Sequence, residues 1–138
     1  MEKAQVWIYS TNDRGEARVL LLKLVPERGS HYHPMTGAVE PGESVEAGAL
    51  REVFEETGFR SRGELIPLDF DFSYEGRWGR AHETAFALEA EPGCPEPALD
   101  PAEHVGYAWV RLDEARTLVH HDVHREALAR LQKRLDRA

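Results

Sequence analysis

Six glutamates crowd the stretch Gly37–Phe59, GAVEPGESVEAGALREVFEETGF, five of them at positions 43, 46, 52, 55 and 56 in and just before a helix-like run. Ser44 is a favourable helix N-cap and Gly58 stands where a helix C-terminal glycine belongs, so the pattern predicts a helix over Val45–Thr57. At about 100° per residue, Glu52, Glu55 and Glu56 share roughly 100° of its surface. Leu50, Val53 and Phe54 fall on the opposite side, between about 100° and 200° on the same wheel. Like charges at this spacing cost a helix roughly 0.2–0.5 kcal/mol per pair, so something offsets the repulsion or the face is simply solvated. Gly48 lies one turn below Glu52, where glycine costs ~1 kcal/mol relative to alanine. Together with Ala49 it leaves the acidic face flanked by almost no side chain, with room for a bulky occupant. Two readings stay open on the helix alone: a solvated acidic surface, or carboxylates gathered as hard oxygen ligands for Mg²⁺ or Mn²⁺. Arg51, four residues before Glu55, is placed to hold one carboxylate by an ion pair.

The chain around this helix reads as one α/β domain, residues 1–138. Gln5–Ser10 and Ala17–Leu24 have the composition of strands, joined by the turn-forming Thr11–Gly15. The segment 31–39 looks extended but broken at Pro34. Leu65–Tyr74 and Glu83–Glu89 read as strands around a polar loop, residues 75–80. The proline-rich segment 91–101 is an irregular loop, Gly106–Arg111 a short strand, and the residues from about Asp122 onward an amphipathic helix. That gives mixed strands with two helices.

Charge and composition exclude several classes. The net charge is −8, which argues against non-specific binding to nucleic acid or to an anionic membrane. No apolar run approaches the ~20 residues needed to span a bilayer. The N-terminus lacks the apolar stretch of a secretory signal, and the single cysteine, Cys94, forms no intramolecular disulfide, so a reducing cytoplasm is the expected compartment.

The spacing of Gly37, Glu43, Arg51, Glu52, Glu55, Glu56 and Gly58 within residues 37–59 matches the Nudix box at every defined position. The chain is thereby identified as resembling the Nudix hydrolases, MutT-like enzymes that cut a pyrophosphate bond in a nucleoside diphosphate linked to another group. The resemblance implies an α/β/α sandwich with a mixed β-sheet, the box forming a loop–helix–loop. It implies Mg²⁺ or Mn²⁺ as cofactor, two or more ions in the working site. On this chain it makes Glu52, Glu55 and Glu56 metal ligands, adds the Gly37 carbonyl, and gives Glu43, Arg51 and Gly58 the task of holding the motif together. Catalysis then falls to Arg51, Glu52, Glu55 and Glu56 with a general base on a later loop. Glu103, which follows the proline-rich segment, is the candidate for that base and for a further metal contact, with Glu55 and Glu83 as runners-up. Relatives that use the fold only for binding usually have an eroded box, and this one is intact, so an enzyme is expected over a non-catalytic binding module.

The substrate is less sharply marked. The Thr36-Gly37 form of the box, Glu103-His104, and the segment Arg77–Glu83 resemble the dihydroneopterin triphosphate pyrophosphatases. Diadenosine polyphosphate hydrolases are the alternative, since they favour a tyrosine near the place of Tyr74. The expected partner is therefore a small phosphorylated metabolite: a nucleoside or pterin triphosphate, or a dinucleotide polyphosphate. The resemblance also allows a homodimer. Phe70, Phe72 and Tyr74 alternate along one strand and read first as core, with Tyr74 and Trp78 the members placed to stack on a flat ring. Arg77 and Arg80 are candidates for distal phosphates. His31 and His33 share a strand face and suit substrate contact, whereas His120, His121 and His124 read as capping or exposed residues at the start of the last helix.

Overall fold

The computed structural model describes residues 1–137. It consists of seven strands, β1 (Glu2–Thr11), β2 (Ala17–Leu24), β3 (Tyr32–His33), β4 (Met35–Ala38), β5 (Ile66–Gly76), β6 (Gly79–Glu89) and β7 (His104–Val110), and three α-helices. The helices are α1 (Val45–Thr57), α2 (Leu112–Leu118) and α3 (Asp122–Asp136). One sheet contains all seven strands, in the order β3-β2-β1-β6-β5, with β4 also paired to β1 and β7 to β2. The β1–β6 pair is parallel and the other strand pairs are antiparallel, so the sheet is mixed.

The central strands are apolar on both faces, which requires cover on both sides. On β1, Ala4, Val6 and Ile8 point to one face and Trp7 and Tyr9 to the other. The first set packs with Leu20, Leu22 and Phe86 against Ala49 and Val53 of α1. The second packs with Leu21 and Ala87 against Leu112, Ala115, Leu128 and Leu131 of α2 and α3. Period-2 alternation on the strands thus meets helix-period stripes on each side, giving the α/β/α sandwich. No helix among the described residues is long and apolar enough to cross a membrane.

Two parts of the sequence reading need correction. The polar loop expected at residues 75–80 is a tight hairpin: β5 runs to Gly76, β6 starts at Gly79, and only Arg77 and Trp78 form the turn. Helix α2 was not anticipated. It has only seven residues, of which Leu112 and Ala115 are buried, too few to show a helical period.

Helix α1 has the bounds and caps expected. Ser44 Oγ accepts from the Ala47 amide, and Gly58 adopts φ 79° with its amide donating to Phe54 O. Its orientation differs from the wheel. Gly48, Ala49, Val53 and Thr57 are buried, while Leu50 and Phe54 face outward, Phe54 beneath the Arg60 guanidinium. The buried arc is therefore centred near Glu52 and Glu56, which turn toward the protein. Gly48 also has a different purpose from the one its spacing suggested. A Cβ there would sit 2.9 Å from Glu43 Oε1 and 3.1 Å from Val39 Cγ2, so the glycine admits the preceding loop, not an occupant of the acidic face. Gly48→Ala is expected to lower stability by about 1 kcal/mol despite alanine's better helix propensity, because the crowding outweighs the gain. Urea denaturation of the two proteins checks the sign.

Candidate active site

Arg51 organises the loop–helix–loop. Its Nη2 donates to Glu43 Oε1 at 2.7 Å and to the Ala38 carbonyl at 2.9 Å. Its Nη1 donates to Glu52 Oε1 at 3.0 Å and to Glu55 Oε2 at 2.9 Å. Glu43 also accepts from the Glu40 amide at 2.8 Å, so one carboxylate ties the turn at 40–43 to the helix. These bonds hold the Glu43 carboxyl below its ordinary range, the Arg51 hydrogen bond contributing most, and raise the guanidinium's own pKa further. On the other side of the helix face, Gly37 lies against Glu52 so closely that a Cβ would overlap the carboxyl group. Glycine is required there by close approach.

Glu52 and Glu56 are in a different situation. Burial raises the Glu52 carboxyl despite the opposing Arg51 bond. Glu56 is pushed up to about 7, first by burial and then by the negative charges of Glu103 and Glu52. Glu103 arrives from far away in sequence. A turn at Asp100–Glu103 and the Val25 amide, donating to Glu103 O at 3.1 Å, bring the start of β7 beside the helix. Glu56, Glu103 and His104 then place one ligand atom each within 4.8 Å of one another. Among the described residues neither Glu56 nor Glu103 has a Lys or Arg ion-pair partner, since Arg51 is spent on Glu40, Glu43, Glu52 and Glu55. Crowded, half-buried carboxylates without a counter-charge, next to one imidazole, fit a hard divalent cation. Glu55 stands outside this group, more than half exposed and bound to Arg51.

A cavity of about 550 Å³ opens alongside. His33 lines it, and His33 Nε2 lies 3.0 Å from His104 Nε2, linking the cavity to the acidic cluster through one imidazole pair. Burial lowers both imidazoles, His33 to about 3, so the pair is neutral. Tyr74, Phe72, His31, Glu83 and Thr36 also face the cavity. Tyr74, the candidate for ring stacking, is thus among the lining residues. Arg77, Trp78 and Arg80 do not line it. Trp78 is 77% exposed at the hairpin tip with the Arg77 guanidinium over its ring, and Arg80 pairs with Glu75 in the open. The unexpectedly long β5 and β6 strands carry these three residues away from the cavity.

Sequence reasoning missed His121 and His124, which line the cavity from α3. His124 is buried and lowered to about 4, burial being the main cause. It also missed the direct His33–His104 contact. The signal was the density of histidines at 31–33 and 120–124, but no local rule joins two segments so far apart.

The family model for the NUDIX domain matches residues 1–131. The chain belongs to the NUDIX domain family. Among solved structures it is similar to a C. elegans Ap4A hydrolase in a binary complex, with TM-score 0.81 and 22% identity over 99% of this chain and 98% of that one. It is also similar to the E. coli dihydroneopterin triphosphate pyrophosphohydrolase, with TM-score 0.76 and 25% identity over 92% of this chain and 91% of that one. In sequence it is 38% identical over 107 residues, 72% of this chain, to an octanoyltransferase of Myxococcus xanthus. The match spans 28% of that protein and 37% of other curated relatives, so it concerns only part of their length.

The raised Glu56 carboxyl has a consequence for stability. A pKa of about 7 in the fold, against the ordinary 4.5, means that the folded state prefers the protonated form. The penalty is absent below the ordinary pKa and accumulates as pH rises through 4.5 to about 7. Glu56→Gln removes it. In chelator, the melting temperature of Glu56→Gln is expected to exceed wild type by a few degrees, ~2–6 °C, at pH 8. The difference should shrink toward zero near pH 4.5. Equal melting temperatures at pH 8 would show that Glu56 is not held in a crowded anionic setting.

Proposed function

We propose that residues 1–138 form a single domain that hydrolyses a pyrophosphate bond in a phosphorylated metabolite, with Mg²⁺ or Mn²⁺ held by Glu52, Glu56 and Glu103. The observation that carries this reading is the convergence of Glu56 and Glu103 from distant segments without a cationic partner. A solvated acidic helix face would need neither the approach of the 100–104 turn nor the burial of Glu52 and Glu56. The family resemblance adds to this set the Gly37 carbonyl and Glu55, which shares the Arg51 guanidinium with Glu52.

A bound divalent cation supplies charge neutralisation on the phosphate oxygens. The remaining tasks fall to the chain. Arg51 fixes the Glu52 and Glu55 carboxylates in orientation, and Glu43 anchors the guanidinium against the loop. Glu103 is the general base, taking the proton of the attacking water from its place at the end of the loop. His33, in contact with His104, lines the cavity on the side of the acidic cluster.

The substrate class best supported is the triphosphate of a flat ring, a pterin or nucleoside triphosphate releasing pyrophosphate. The cavity beside the acidic cluster suits such a ring, with Phe72 and the imidazoles along it and Lys3 and Arg28 at its border for the phosphates. Similarity to the dihydroneopterin triphosphate pyrophosphohydrolase agrees with this reading. A dinucleotide polyphosphate is the second reading, favoured by Tyr74 on the cavity wall and by likeness to the Ap4A hydrolase.

The test is a hydrolysis screen of these compounds with Mg²⁺ and with Mn²⁺, the products separated by chromatography. Turnover is expected to require the metal and to fall roughly 100-fold or more in Glu52→Gln and Glu56→Gln, and about 10-fold or more in Glu103→Gln. Circular dichroism should show each variant folded. Full turnover by Glu56→Gln would remove the site from consideration. No turnover on any compound, with metal bound and the fold intact, would leave a non-catalytic binding module.

A further inference from the structure

Glu83 is 3% exposed, yet it borders the cavity and takes no part in the acidic cluster. It lies on β6, with Gln5 two residues along β1 on one side and Tyr74 on β5 on the other. Glu83 Oε2 accepts from Gln5 Nε2 at 2.7 Å, and Oε1 accepts from the Tyr74 hydroxyl at 3.0 Å. Gln5 Oε1 in turn accepts from Trp7 Nε1 at 2.7 Å, which sets the orientation of the amide. Three strands therefore hold this carboxylate in a single pose, using donors that are all protein side chains.

Each carboxylate oxygen can accept two hydrogen bonds, and each here has one from these side chains. A rigid, buried pair of acceptors with spare capacity is a selective reader, because a ring that brings donors is accepted and one that brings lone pairs is repelled. Around it are surfaces for the rest of a planar molecule: Phe72 and Tyr74 on β5, and the imidazoles of His31 and His121 on the other side. Lys3 and Arg28 contribute positive charge, and Asp122 is a second carboxylate on the lining.

We propose that the cavity seats the ring of the substrate and that Glu83 selects a ring edge carrying two adjacent N–H donors. That edge is a ring amide N–H beside an exocyclic amine, as in guanine or a 2-amino-4-oxopteridine. Adenine presents a ring nitrogen lone pair beside its amine, and uracil an N–H flanked by two carbonyls, so neither offers paired donors. This selection rests on the hydrolase reading of the acidic cluster, but it concerns a different residue and has its own readout. Tyr74 acts as a positioning residue, orienting Glu83 through its hydroxyl.

The experiment compares kcat/KM for GTP, ITP, ATP and dihydroneopterin triphosphate with Mn²⁺. GTP and the pterin are expected to exceed ATP by roughly tenfold or more, with ITP, which lacks the exocyclic amine, between them. Glu83→Gln should erase the advantage of GTP over ATP, lowering turnover of GTP and relieving the repulsion of ATP, and Glu83→Asp should reduce that advantage. Tyr74→Phe, which keeps the carboxylate, should retain part of it. No preference for GTP in the wild type would overturn the proposal, as would an equal loss on all four substrates in a folded Glu83→Gln. If no compound is turned over, calorimetric binding of GTP and ATP decides the matter separately. A GTP preference lost in Glu83→Gln would then support ring selection while the hydrolase reading fell. Should Glu83→Gln fail to fold, the wild-type ratio of GTP to ITP still tests the paired-donor edge.

Discussion

One guanidinium sets the geometry on which the rest depends. Arg51 binds Glu43, Glu52 and Glu55 and the Ala38 carbonyl, and thereby presses the 37–43 segment onto the first turns of α1. Two glycines make that approach possible: Gly48 under Glu43 and Val39, and Gly37 under Glu52. A planar donor with five N–H groups can serve several carboxylates at fixed angles, where an ammonium would offer a single point of charge. The loop is held, so the sheet end and the helix keep one relation, and Glu56, which Arg51 does not bind, is left in a partly buried position beside Glu103.

The acidic residues of this region accordingly fall into two populations. Glu43 is satisfied by Arg51 and holds its charge easily. Glu56 and Glu103 meet without a counter-ion, and the cost appears as the raised Glu56 carboxyl. This division explains how a chain of net charge −8 can be suited to an anionic substrate. In the proposed reading, attraction comes from a cation gathered by the uncompensated carboxylates, while the cavity next to them is walled by imidazoles and aromatic rings. Glu83, carrying another carboxylate on that wall, is fastened by Gln5 and Tyr74 and so performs a different task from the glutamates of the helix.

The loop–helix–loop was legible because its determinants are local. Ser44, Gly58 and the spacing of Arg51 and the glutamates act within a few turns of chain, and the helix has the bounds they imply. Glu103 was legible only as a glutamate after a proline-rich loop. Its meeting with Glu56 depends on the 100–104 turn and on pairing between the Val25 and Glu103 backbones. The helix wheel failed for Leu50 and Phe54 because it ranks residues by polarity, whereas the sheet and the 37–43 loop decided which arc was covered. Arg77, Trp78 and Arg80 lie off the cavity because the polar run read as a loop is a hairpin whose cross-strand pairing continues almost to the tip.

By itself the sequence determined the family, the capped helix and the roles open to its glutamates, since these follow from residue type and short spacing. Tertiary structure alone decided which carboxylates lack a partner, which histidines meet, and that Tyr74, Glu83 and α3 enclose one cavity. The physical reason is separation along the chain. Gln5, Glu56, Glu83, Glu103 and His124 lie on five different elements or their junctions, and only the packing of helices on both faces of the sheet brings their side chains within reach.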